Sequence, residues 1–114
     1  MATTELTADT LEAAIADSPT LLVDFWATWC APCRQFGPIF DAASEKHPDI
    51  TFTKVDFDAN QELMMALDIM AVPTLMAFKD GQLIFRQAGA LNTPQLEELI
   101  AQLEKLELEP EPAA

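Results

Sequence analysis

Basic side chains are scarce in this sequence. Six Lys and Arg stand against nineteen Asp and Glu, a formal net charge of −13. A surface of that sign repels phosphate backbones and anionic membrane faces, which argues against nucleic-acid or lipid binding. Long apolar runs are missing as well, none approaching the roughly 18 residues of a membrane helix. The opening residues Met1-Ala2-Thr3-Thr4-Glu5 have neither the basic nor the apolar region of an export signal, so a cytosolic protein is expected. Glycine is rare at three residues, while half of the 114 are hydrophobic. That composition supports one globular domain with a single core. Histidine occurs once and cysteine twice. A structural zinc site takes about four ligands, so no metal is expected. Asp56 and Asp58 lack the further ligands and glycine turn of a calcium loop and read as solvated surface.

The two cysteines stand together in Trp29-Cys30-Ala31-Pro32-Cys33. A structural disulfide is improbable in a reducing cytosol, which leaves a redox pair as the better reading. Before them runs the apolar Leu21-Leu22-Val23-Asp24-Phe25-Trp26, and after them Arg34 to Phe40 has helical spacing. If Cys30 begins a helix, its sulfur lies beside N–H groups that have no intrahelical partner, and those groups favour a thiolate. Cys33, three residues on, falls on the same face one turn deeper. The two Cα atoms should then lie roughly 5–6 Å apart, a span that a disulfide accepts. Pro32 suits a first turn, where its missing N–H costs little.

The rest of the pattern predicts β-α-β-α-β-α-β-β-α. Residues 3–6 form a short strand, and Thr7 caps a helix whose inward face is Leu11, Ala14 and Ile15. Residues 20–26 form a central strand, and a helix runs from Cys30 or Ala31 to about Lys46 with a kink at Pro38. Residues 50–56 are a β-branched strand, and Asn60 caps a short helix to about Leu67. Strands 74–79 and 82–88 flank the hairpin signal Asp80-Gly81. Asn92 and Gln95 open a last helix with the stripe Leu96, Leu99, Ile100, Leu103 and Leu106. Residues 1–107 are the expected domain, and 108–114 an acidic, Pro-containing disordered tail.

With those pieces in hand, the chain resembles the thioredoxins over about residues 3–107. The resemblance rests on Val23-Asp24-Phe25-Trp26-Ala27-Thr28-Trp29-Cys30-Ala31-Pro32-Cys33, Lys54-Val55-Asp56, Val72-Pro73-Thr74 and Gly89-Ala90-Leu91, in family order. It departs at Ala31, where the commonest centre has Gly, and at Met70-Ala71, where many relatives carry Arg-Gly. It implies an α/β thioredoxin fold, a mixed central sheet of about five strands flanked by four helices. It also implies a cis peptide before Pro73 and general protein disulfide reduction with no bound cofactor. Electrons would come from thioredoxin reductase, a flavoprotein that uses NADPH. A monomer acting on disulfide-containing proteins is expected.

Cys30 is the expected nucleophile and Cys33 the resolving sulfur. Asp24, alternating with Leu22 and Trp26, reads as an inward acid of raised pKa that could take the Cys33 proton. It could equally escape to solvent or pair with Lys54, which is itself either a charge partner or a solvated strand lysine. Under the resemblance, Trp29, Ala31, Pro32, Ala71, Val72, Pro73, Gly89 and Ala90 surround Cys30 as an apolar substrate-binding rim, with the Val72 backbone pairing an extended substrate. Two other readings stand beside this one. The chain could be an oxidase or isomerase of an exported compartment, or a non-catalytic binding module on the same fold.

Overall fold

A computed structural model describes residues 2–107, so the expected tail at 108–114 lies outside the described residues. Five strands and four α-helices follow in the order β1 (Thr3–Leu6), α1 (Ala8–Asp17), β2 (Thr20–Trp26), α2 (Ala31–Lys46), β3 (Thr51–Asp56), α3 (Gln61–Ala66), β4 (Thr74–Lys79), β5 (Gln82–Ala88) and α4 (Thr93–Lys105), with a short 3-10 helix at Asp58–Asn60 before α3. The sheet order is β1-β3-β2-β4-β5. β1, β3 and β2 are parallel, and β4 pairs antiparallel with both β2 and β5. β2 is the centre, which explains its near-continuous apolar run.

Alternation along β2 divides the core. Leu22 faces α2 and α4, packing with Phe36, Phe40, Phe52, Leu75, Leu96 and Ile100. Leu21, Val23 and Phe25 face the other way, towards Leu11 of α1 and Met64 of α3. α2 runs as one helix through Pro38. The hydrogen bond lost there costs about 3 kcal/mol. Phe36 and Phe40, both fully buried, each contribute about 1.5–3 kcal/mol by leaving water, and their combined burial outweighs that loss.

Local signals account for most boundaries. Asp80 and Gly81 both have positive φ, 51° and 81°, the two-residue turn that matches strand twist. Asn92 Oδ1 accepts from the Gln95 N–H and Gln95 Oε1 from the Asn92 N–H, each at 2.9 Å. Two expectations need correction. Asn60 precedes α3 but its side chain does not cap it. Its Oδ1 accepts instead from the Ala8 N–H at the start of α1 (3.0 Å), and its Nδ2 donates to the Asp56 carbonyl (2.9 Å). The stronger claim came from a distant helix whose first N–H groups also lack partners. Leu106 lies just beyond α4 and is exposed, so the buried stripe ends at Leu103.

Candidate active site

Strand register assembles the site at one end of the sheet. Phe25 of β2 pairs with Thr74 of β4, and Thr74 with Ala88 of β5. Trp26 pairs with Asp56, and the Phe57 N–H continues the ladder to the Trp26 carbonyl at 2.8 Å. The loops after β2, before β4, after β5 and after β3 therefore meet beyond the carboxyl ends of the parallel strands, where open α/β sheets place their ligands.

Cys30 is the N-cap of α2 and Cys33 lies in its first turn, with Pro32 also at the helix start. They form a disulfide with Cα atoms 5.2 Å apart. The Cys33 N–H donates to Cys30 Sγ at 3.1 Å, and Cys30 Sγ lies 3.4 Å from the Val72 carbonyl oxygen. The expected difference in depth is not seen: the two cysteines are 4% and 6% exposed. What separates them is the helix end. Cys30 is the N-cap, and its sulfur accepts the Cys33 N–H, one of the first-turn groups that have no intrahelical partner. Arg34 steadies the approach to the helix, Nη1 donating to the Thr28 carbonyl at 2.9 Å.

The rim residues divide by exposure. Trp29, Ala31, Pro32, Ala71, Gly89 and Ala90 are exposed and Val72 is half-buried. Pro73 is buried, so it belongs to the site through its backbone rather than as rim surface. The Val72–Pro73 peptide is cis. The Pro73 carbonyl accepts from the Gly89 N–H at 2.8 Å, which joins two of the loops. Trp29 is held outward, its Nε1 donating to Asp58 Oδ2 at 2.9 Å and its ring set edge-on to Phe57 at 6.3 Å. Asp58 is therefore more than solvated surface, and Asp56 Oδ1 accepts from the Asp58 N–H (2.9 Å) in the turn that presents it. Neither contact is legible in advance beyond the spacing of two aspartates. Trp26 is half-buried beside the cysteines, and its Nε1 donates to Glu5.

Asp24 is 1% exposed and neither carboxylate oxygen has a hydrogen-bond partner among the described residues. Burial pushes its pKa up to about 7, Lys54 pulling down and Asp41 and Glu5 adding to the rise. The escape to solvent is excluded. Lys54 stands opposite Asp24 in the β2–β3 register but its ion pair is with Asp41, at 3.8 Å.

A strand–turn–helix carrying a Cys-x-x-Cys disulfide, faced by a cis proline loop, is what the thioredoxin family model matches over residues 2–102. The chain belongs to the thioredoxin family. A Streptomyces coelicolor chain assigned as thioredoxin 2 is 42% identical over 107 residues, 94% of this chain and 80% of that one. The thioredoxin of Alicyclobacillus acidocaldarius is 39% identical over 101 residues, 88% of this chain and 96% of that one. Oxidised mitochondrial thioredoxin 3 of Saccharomyces cerevisiae superposes with a TM-score of 0.80 at 36% identity, covering 88% of this chain and 94% of that one. This thioredoxin-family chain is a protein-disulfide oxidoreductase with Cys30–Cys33 as its redox-active pair. Among the described residues, no helix is long and apolar enough to cross a membrane.

Proposed function

We propose that the chain is a general protein disulfide reductase of the cytoplasm, working as a monomer through residues 1–107 and recycled by a flavoprotein thioredoxin reductase at the expense of NADPH. The observation that carries this reading is the Cys33 N–H aimed at Cys30 Sγ at the mouth of α2.

The reduced Cys30 thiolate attacks one sulfur of a substrate disulfide. A bond forms between Cys30 Sγ and that sulfur, the substrate S–S bond breaks, and the other substrate sulfur leaves as a thiolate that takes up a proton. Cys33 gives its proton to Asp24, directly or through water, and its sulfur then attacks Cys30 Sγ. The mixed disulfide breaks, the second substrate thiolate departs and is protonated, and the Cys30–Cys33 bond closes. Two electrons have moved from the enzyme dithiol to the substrate. NADPH, through the reductase flavin, returns them.

Substrate recognition needs little side-chain chemistry. Trp29, Ala31, Pro32, Ala71, Gly89 and Ala90 offer apolar area around the sulfur, and the Val72 backbone can pair with an extended segment as an added strand. Such a surface suits many unrelated partners.

With NADPH and thioredoxin reductase, the chain should sustain turnover of insulin disulfides at catalytic concentration. No NADPH consumption with an active reductase, or a strongly oxidising reduction potential, would contradict reductase function. Cys33→Ser should accumulate a mixed disulfide joined at Cys30, visible on a non-reducing gel after incubation with an oxidised protein. An adduct-free, folded variant would reverse or remove the assigned division of labour.

A further inference from the structure

Asp41 pairs with Lys54, and the charges of both act on the buried Asp24 carboxyl. Gly37 and Asp41 stand one turn apart on α2, hence on one face. Lys54 Nζ reaches Asp41 Oδ1 at 3.8 Å, and both side chains are only 22% exposed. Gly37 leaves room for this: a β-carbon there would already lie 3.8 Å from Nζ, and a longer side chain would compete for the ammonium's place. Asp41 is itself tied from the edge strand, its Oδ1 accepting from Thr3 Oγ1 at 3.1 Å. Asp24, opposite Lys54 in the ladder, is left with both oxygens unpartnered among the described residues.

We propose that Asp41 is a positioning residue for disulfide exchange: anchored by Thr3, its carboxylate holds the Lys54 ammonium against α2 and so keeps Asp24 from closing into a buried ion pair. The inference rests on the reading of Asp24 as the acceptor of the Cys33 proton. Three charged groups face Asp24, namely Lys54 from β3, Asp41 from α2 and Glu5 from β1. Glu5 is also raised, chiefly by burial, with the Trp26 hydrogen bond opposing. Of the three, only Lys54 favours the Asp24 carboxylate. Released from Asp41, it could turn to Asp24, which stands opposite it in the ladder and has no hydrogen-bond partner among the described residues. Asp24 would then be charged over more of the neutral pH range and a weaker base.

Asp41→Asn tests this, because the amide oxygen can still accept from Thr3 while the charge that holds Lys54 is gone. The reporter is the Asp24 carboxyl carbon resonance, followed through pH in the oxidised full chain, a readout independent of turnover. Its midpoint should fall by about one pH unit, the smaller end of what an approaching opposite charge produces. Asp41→Glu should restore the original midpoint. In a Lys54→Met background, Asp41→Asn should move the midpoint less than half as far, because only the direct effect of the Asp41 charge remains. An unmoved midpoint, or a shift of the same size with and without Lys54, would overturn the inference. Should Asp41→Asn not fold, Thr3→Val loosens the same anchor, and an unmoved midpoint there counts equally against it. The pH–rate profile of insulin reduction then judges Asp24 separately. A lowered midpoint with an unchanged profile would retain the Asp41–Lys54 coupling and remove Asp24, with the role in exchange proposed for Asp41, from the reaction.

Discussion

Cys30→Ser is expected to lose insulin reduction down to the uncatalysed background, a fall of at least about a thousandfold, as when a covalent nucleophile is removed elsewhere. The helix mouth supplies at most about 2 kcal/mol towards holding an anion. That suffices to ionise a thiol near neutrality and falls far short of ionising an alcohol. Cys33 cannot substitute, because its own N–H points at Cys30 and no such donor meets its sulfur among the described hydrogen bonds. Substantial residual activity in the folded variant would show that the attacking sulfur has been misassigned.

Asp24→Asn is expected to stabilise the oxidised protein by about 4 kcal/mol at pH 8 and by almost nothing near pH 4. Folding carries the Asp24 carboxyl from 3.8 to about 7, mainly by burial. Between those values the folded chain keeps a proton that the unfolded chain has released. Stability therefore falls as pH rises through that window and levels off above it. At about 1.4 kcal/mol per pH unit, the span gives the figure quoted. Asparagine removes the titration while preserving shape. Urea unfolding of both proteins at the two pH values measures the difference, and an advantage independent of pH would contradict a buried titrating acid. The same variant should reduce disulfides more slowly near and above neutral pH, where the Asp24 carboxylate is available as base. The cost of holding this acid in the core is then set against a function.

What could be read in advance follows from how local each signal is. The central strand at residues 20–26, the Asp80-Gly81 turn and the Asn92–Gln95 cap are written in adjacent side chains, and they lie where expected. So does the redox pair, because a strand, a turn and a helix start occupy a few consecutive residues. The inward direction of Asp24 followed from strand alternation. Partners separated by the fold were not legible. Asn60 bonds across 52 positions to Ala8, and Trp29 across 29 to Asp58. Strand logic offers Lys54 as a charge partner of Asp24 or as a solvated lysine; its charge does act on Asp24, but its ion pair is with Asp41 of α2, which adjacent side chains do not reveal. The cis peptide at Pro73 came only from family resemblance, since most such bonds are trans.

Titration of the Cys30 thiol in the fully reduced protein, followed by thiolate absorbance with Cys33→Ser as a check on assignment, addresses the central chemistry most directly. A pKa at or below about 7.5 is expected, within the range known for cysteines at helix N-termini, thioredoxins among them. A value near the 8.5 or so of free cysteine would mean that the mouth of α2 does not activate the sulfur.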